Sequence, residues 1–277
     1  MTTTSLPGVR SYRRLALSNS LTKAISDRLL LALIVGLGVG AMGLLMGPMY
    51  LALEDILAEM LSQFPEPIMA IAGGADMATA SGYLTGEMYS IVVPFAVMFV
   101  AVSSAARAFG GEMENETIGL VMSTPTRRTR LASDKVVAMI IHIILASGLV
   151  GLLVYIGVAV SGIDVSVGNV FAVSLMLSLL SVFVGGISMV ISIVTGRGVV
   201  AILAGMLVAI AMYAWSSFVP MADAVADLAW LSPWHHYIGT DPLGSGIDWG
   251  SAALLLVLAV VPLMASVYLF KRRDIAA

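Results

Sequence analysis

Six apolar runs punctuate the chain, at residues 29–51, 88–109, 136–160, 167–194, 198–219 and 250–270, each about twenty residues or longer and nearly free of charge. A run of that length crosses a ~30 Å hydrocarbon layer as a helix. Lipid offers no hydrogen-bond partners, so the backbone must satisfy itself, which only helices and closed barrels achieve. Long runs without two-residue alternation predict helices. The expected fold is all-α: a polytopic membrane protein with six transmembrane helices, forming one transmembrane domain over residues 1–277.

The polar stretches between the runs carry their own patterns. Residues 1–28 form a basic N-terminus in which Leu17, Leu21 and Ile25 recur every four residues, predicting an amphipathic helix in the membrane interface. An ordinary basic flank that only sets orientation is the simpler alternative. Between the first two runs, Leu53, Ile56, Leu57 and Met60 alternate with Glu54, Asp55 and Glu59 as a second amphipathic helix, ended near Pro65 and Pro67. The links SGIDVSVGN and TGRG around Arg197 are short, so runs three, four and five are antiparallel neighbours. Residues 220–249 are apolar, broken by prolines and rich in Trp and Tyr, which predicts short, partly re-entrant helices at the interface before the last span.

Composition agrees, with 59% hydrophobic and 11% charged side chains and a mean hydropathy of +1.00. Soluble domains carry about 25% charged residues. Charge then orients the chain. All 14 Lys and Arg fall in segments that six spans place on one side: the N-terminus, residues 107–135, Arg197, and Lys271 to Arg273. The positive-inside rule makes that side the cytoplasm, with both termini in it. Only Asp27, Glu112, Glu114, Glu116, Asp134 and Asp274 of the 17 acids join them, so a net charge of −3 hides a basic face and an acidic one. The first run is too long for a signal-peptide core and follows polar residues, so it is expected to stay as an anchor in the cell membrane.

Candidate chemistry is sparse. The chain has no Cys, hence no disulfide and no thiolate metal site. His235 and His236 near Asp241 lack the spacing of a preorganised metal site, and none is expected. His142 is the one ionisable group at membrane depth in the third run, a possible polar site or a helix-to-helix hydrogen bond. Gly36, Gly40 and Gly43 allow close helix approach, within the subunit or across a dimer seam. The 18 Met residues are read as packing more readily than as an adaptable pathway. No phosphate-binding Gly-rich loop followed by Lys occurs, so nucleotide is not expected on this chain. No carboxylate relay crosses a span, which argues against a proton-coupled carrier.

Residues 107–135, RAFGGEMENETIGLVMSTPTRRTRLASDK, are far more than a turn between spans needs. Glu112, Glu114 and Glu116 suit the start of a short helix. Thr124-Pro125 breaks it and caps the next piece, which runs through Arg127, Arg128, Arg130 and Lys135 into the third span. Two helical pieces continuous with two spans, bearing both signs of charge and an apolar patch at Leu120, Val121 and Met122, can fill a groove on a partner and transmit its motion. A merely solvated charged loop is the alternative.

The block GEMENETIGLVMSTPTRR resembles the E-x-E-x-G-T-x-x-x-L-L-x-x-P-x-x-R signature of permease subunits of type-2 ATP-binding-cassette (ABC-2 type) transporters. LSPWHHYIGTDPLGSG is similar to that family's stretch before the last span, and FKRRDI to its end. The resemblance implies a coupling loop at 110–135 in which Glu112, Glu114, Thr117, Gly119, Leu120, Pro125 and Arg128 hold signature positions, with Arg127 beside them. The usual Gly-Thr pair is here Glu116-Thr117 and the Leu-Leu pair Val121-Met122. It further implies separate cytoplasmic ATPase subunits that bind ATP and Mg, a second permease as homodimer or heterodimer, and no catalytic residue on this chain. No nucleic-acid partner is expected. The expected function is an exporter of hydrophobic or amphipathic compounds such as drugs, peptides or lipids. The alternative is a membrane scaffold or sensor subunit that recruits a soluble partner through 110–135.

Overall fold

Where side chains are apolar on every face, helices must be told apart by how closely they approach one another, and small residues decide that. The computed structural model describes residues 20–61, 79–114, 128–222 and 224–273. Six helical segments are long and apolar enough to cross a membrane: α1 (Ser20–Leu61), α2 (Val92–Ala106) with the helical turn that continues it to Gly111, α3 (Arg128–Ser161), α4 (Val167–Thr195), α5 (Gly198–Phe218) and α6 (Trp249–Arg272). No strand occurs among the described residues. The protein is a multi-pass membrane protein, all-α as its pattern predicts.

α4 is the central helix, packed against α2, α3, α5 and α6. Small residues make that possible. A Cβ on Gly185 would stand 2.9 Å from Met139 Sδ of α3 and 3.1 Å from Ala101 of α2, and one on Gly186 2.9 Å from Pro262 of α6. Ser188 Oγ donates to the Ala201 carbonyl of α5 at 2.8 Å, and Ser147 of α3 bonds Ser178 of α4 at 2.7 Å. In lipid no hydrophobic force drives helices together, so such close packing and interhelical hydrogen bonds hold the bundle.

α1 lies at the edge, chiefly on α3. Its glycines form a stripe: an added Cβ would come within 2.9 Å of Leu149 at Gly36, 2.6 Å of Leu153 at Gly40, 2.4 Å of Val154 at Gly43 and 2.4 Å of the Gly157 carbonyl oxygen at Gly47. The Gly36, Gly40 and Gly43 face is thus taken up by α3 of the same chain. Gly38, off that stripe, meets nothing.

The structure joins what the pattern divides. Residues 20–28 do not form a separate interfacial helix; they run straight into α1, and residues 10–19 of that expected element lie outside the described residues. The stretch from 52 to 61, read as a separate amphipathic helix, is also part of α1, which reaches 42 residues. No glycine occurs between Ser20 and Val35 to break the helix, and Pro48 removes only one backbone donor, a loss a membrane helix tolerates. The ending near Pro65 and Pro67 lies outside the described residues.

All Lys and Arg side chains described gather at one end of the bundle, the basic end; Glu54, Glu87, Asp164, Asp241 and Asp248 mark the opposite, acidic end.

Candidate functional site

The basic end is where α2 leaves the bundle and the charged block begins. α2 passes into a wide π-helical turn, Arg107–Gly111, and then one helical turn, Glu112–Glu114. The wide turn sets Gly110 against the start of α5, where an added Cβ would lie 2.5 Å from the Gly198 nitrogen. Gly110 N–H donates to Ser192 Oγ of α4 at 2.8 Å, while the same hydroxyl donates to the Ala106 carbonyl at 3.3 Å. One buried serine thus satisfies a donor and an acceptor at the end of α2, where helical pairing runs out.

Glu114 closes the contact. Its Oε1 accepts from Gly198 N–H at 3.1 Å, one of the unpaired donors at the first turn of α5. The carboxylate also faces the positive end of that helix dipole. The α4–α5 turn is tight because Gly196 ends α4 at φ +70, with its N–H on Ser192 O at 3.0 Å. Met113 Sδ and the Arg273 guanidinium lie against the same glycine.

The other helices close on this end too. Lys135 of α3 is 5% exposed; its ammonium donates to the Ala108 carbonyl and sits 4.6 Å above the Phe109 ring. A cation there suits both the carbonyl end of a helix and the ring face. Phe109 in turn packs on Phe270 of α6, ring centroids 4.6 Å apart. Arg128, the first residue of α3, donates to the Arg273 carbonyl at 2.9 Å, and Ser20 of α1 donates to Asp134.

Of the residues expected to couple, Glu114 and Arg128 are brought into this cluster, and Glu112 forms part of its helical turn. Thr117, Gly119, Leu120, Pro125 and Arg127 lie outside the described residues. His142 is 1% exposed. The Ile25 carbonyl can only accept, so Nε2 carries a proton and donates to it at 2.7 Å, leaving Nδ1 to accept from Ser104 Oγ at 3.1 Å. The side chain ties α1, α2 and α3 together. Sequence reasoning missed Gly110, Ser192 and Gly198, although the Gly110-Gly111 pair beside a span end and the Gly196-x-Gly198 turn mark places of close backbone approach. Lys135, placed by sequence on the piece that leads into the third span, is buried there, because Phe109 and the Ala108 carbonyl offer it a seat.

The acidic end is closed differently. Val219–Met221, Ala226–Leu231, Pro233–Ile238 and Pro242–Ser245 form short helical turns, and Ser232, the N-cap of the third, accepts from Trp234 N–H at 3.2 Å. They carry Trp234 into the bundle, 2% exposed and stacked among Phe95, Tyr213 and Tyr237. Tyr237 donates to the Tyr89 carbonyl at 2.9 Å. Burial, with Tyr89 adding to it, pushes the Tyr237 phenol well above its ordinary range, so it remains a donor. Asn169 of α4 donates to the Leu243 and Gly244 carbonyls at 2.8 and 2.9 Å. His236 bonds Ser251 at 3.1 Å and the Trp230 carbonyl at 2.8 Å.

No curated protein matches the chain. The profile of the family described as ABC-2 family transporter protein matches residues 17–275, from the start of the N-terminal apolar pattern to past the end of α6. Six apolar helices, with a polar clamp where the charged block leaves the membrane, therefore belong to a member of the ABC-2 transporter family, the permease component of an ABC transporter.

Proposed function

We propose that the chain is one permease of a dimeric exporter that moves hydrophobic or amphipathic compounds, driven by separate ATPase subunits that dock at residues 110–135. The basic end faces the cytoplasm, as the positive-inside rule requires. ATP and Mg are held on the ATPase subunits, since no phosphate-binding loop occurs in this sequence. The second permease is a copy of this chain or a relative.

The observation that carries this reading is the hydrogen bond from Gly198 N–H to Glu114. It fastens the segment leaving α2 to the first turn of α5, with Gly110 packed on the same backbone. A push on the coupling loop would then move α2, the α4–α5 turn and α5 as one unit. The arrangement supports a lever whose handle is the loop and whose load is two spans. Substrate passage follows from tilting those spans against the rest of the bundle.

The test is assembly. Glu114→Lys with Leu120→Asp should abolish co-purification of ATPase subunits from a permease that still inserts normally and whose stability falls by only about 1–2 kcal/mol, the effect of a cation at the α5 dipole. Intact docking in that double variant would overturn the assignment of the loop. Hydrolysis by the assembled complex that no apolar candidate substrate alters would overturn the exporter reading alone.

A further inference from the structure

At the basic end a groove of about 530 Å³ lies between α3 and α6. Thr129, Ser133 and Lys271 line its mouth, and Val137, Met264 and Val267 its apolar wall. Val137 is 43% exposed and Met264 68%, so no described element covers the groove. We propose that this groove binds an anionic phospholipid, with one acyl chain between α3 and α6 and the phosphate at Lys271.

Charge and register support it. Lys271 lies at the membrane edge, two turns beyond Leu263, so the apolar wall is roughly 12 Å deep at a rise of about 1.5 Å per residue. That approaches the ~15 Å of one leaflet of a ~30 Å hydrocarbon layer. The Arg272 guanidinium rests 4.5 Å over the ring of Tyr268, itself a groove residue, which holds a second cation at the rim. Arg130 shares the α3 face of Ser133 and Val137, three and seven residues on, adding a third. The hydroxyls of Thr129 and Ser133 are donors suited to phosphate oxygens. The nearest carboxylate of α3, Asp134, is engaged by Ser20 of α1. Among the described residues neither Lys271 nor Arg130 has a carboxylate partner.

Basic pockets between helices on the cytoplasmic side favour acidic headgroups. A zwitterionic lipid offers the same chain, but its own ammonium opposes these cations. A second copy of the chain fits worse, because a two-fold contact centred on the groove would set Lys271 and Arg272 near their own duplicates. The N-terminal segment with Arg10, Arg13 and Arg14 has the same sign as the rim. The inference requires only that the chain sits in a membrane, and stands apart from the coupling reading.

Native mass spectrometry of the full chain in mild detergent tests it, titrating phosphatidylglycerol or phosphatidylcholine of identical chains. Wild type should retain phosphatidylglycerol about tenfold better, and each of Lys271→Ala and Arg130→Ala should cut that preference by about fivefold. Lys271→Arg should restore it. Val267→Trp, which fills the groove and leaves the rim intact, should reduce retention of both lipids. Equal retention of the two lipids by wild type would overturn the proposal. So would undiminished phosphatidylglycerol binding in the alanine variants. Displacement of the lipid by its chain-free headgroup at equal concentration would reduce the site to a phosphate contact and likewise overturn it. A change in the dimer fraction of Val267→Trp without any change in lipid would give the groove to a second copy.

Discussion

At the basic end, helices distant in sequence meet mainly through polar contacts to backbone, Glu114 on Gly198, Ser192 on Ala106, Lys135 on Ala108 and Arg128 on Arg273, with one aromatic pair, Phe109 on Phe270, among them. At the acidic end, a block of aromatic side chains centred on Trp234 fills the space between helices, and hydrogen bonds only trim its edge. Polar contacts to backbone are directional and individually modest, about 0.5–1.5 kcal/mol. They fix which parts move together without making the whole immovable. Dispersion in a packed aromatic cluster sums over many atoms and resists any displacement. One end is therefore suited to receive motion and the other to stay shut.

The largest effect separating the two ends is expected from Trp234→Ala. It should cost about 3–5 kcal/mol, the range for emptying a buried aromatic site, read as a lower unfolding midpoint in detergent. A loss below about 1 kcal/mol would mean the acidic end is not held by its aromatic core. At the basic end Gly110→Val drives a side chain into the Gly198 backbone and should cost about 1–3 kcal/mol. Substrate-stimulated hydrolysis by the assembled transporter should fall more than stability does. Parallel losses would erase the distinction between the ends.

Tyr237→Phe removes only the bond to the Tyr89 carbonyl and should cost about 0.5–1.5 kcal/mol, leaving coupling untouched. Glu114→Gln keeps the shape and a weaker acceptor while losing the charge at the α5 dipole. Its cost in stability should be about 0.3–1 kcal/mol, with hydrolysis nonetheless uncoupled from substrate. Normal coupling in that variant would show the carboxylate to be a cap and nothing more.

The smallest effect is one of pH. The Ser251 hydroxyl and backbone N–H, together with the Gly250 N–H, hold the Asp248 carboxyl below its ordinary value of 3.8 at the start of α6. A depressed carboxylate contributes stability above its unfolded pKa and loses it as pH falls through the folded one. The contribution should therefore be constant above pH 3.8 and fade below it. Asp248→Asn should flatten that acid limb, seen as amide exchange at Gly250 and Ser251 that no longer quickens on acidification relative to the rest of α6.

Much of this was legible along the chain. Apolar length gave six spans, and four of them begin and end within a few residues of the observed helices: 167–194 against Val167–Thr195, for example, and 250–270 against Trp249–Arg272. The first helix was less legible, because hydropathy falls at its polar ends while the backbone continues through them. His235 and His236 show why side-chain roles were harder. Adjacent in sequence and with ring centroids 5.7 Å apart, they still differ in role: burial and its neighbour depress the proton affinity of His235, while His236 bonds Ser251 and the Trp230 carbonyl.

The sequence alone determined class, span number, charge asymmetry and the place of the charged block between the second and third spans, because these rest on the cost of taking peptide groups and charges out of water, which every residue incurs wherever it packs. Tertiary structure alone decided that the glycine stripe of α1 belongs to α3, that α4 is the centre, that Lys135 is buried, and that Glu114 caps α5. Those depend on which surfaces come within a few ångströms of one another. Between helices apolar on all faces, that choice is made by small residues far apart in the chain, and no local pattern records it.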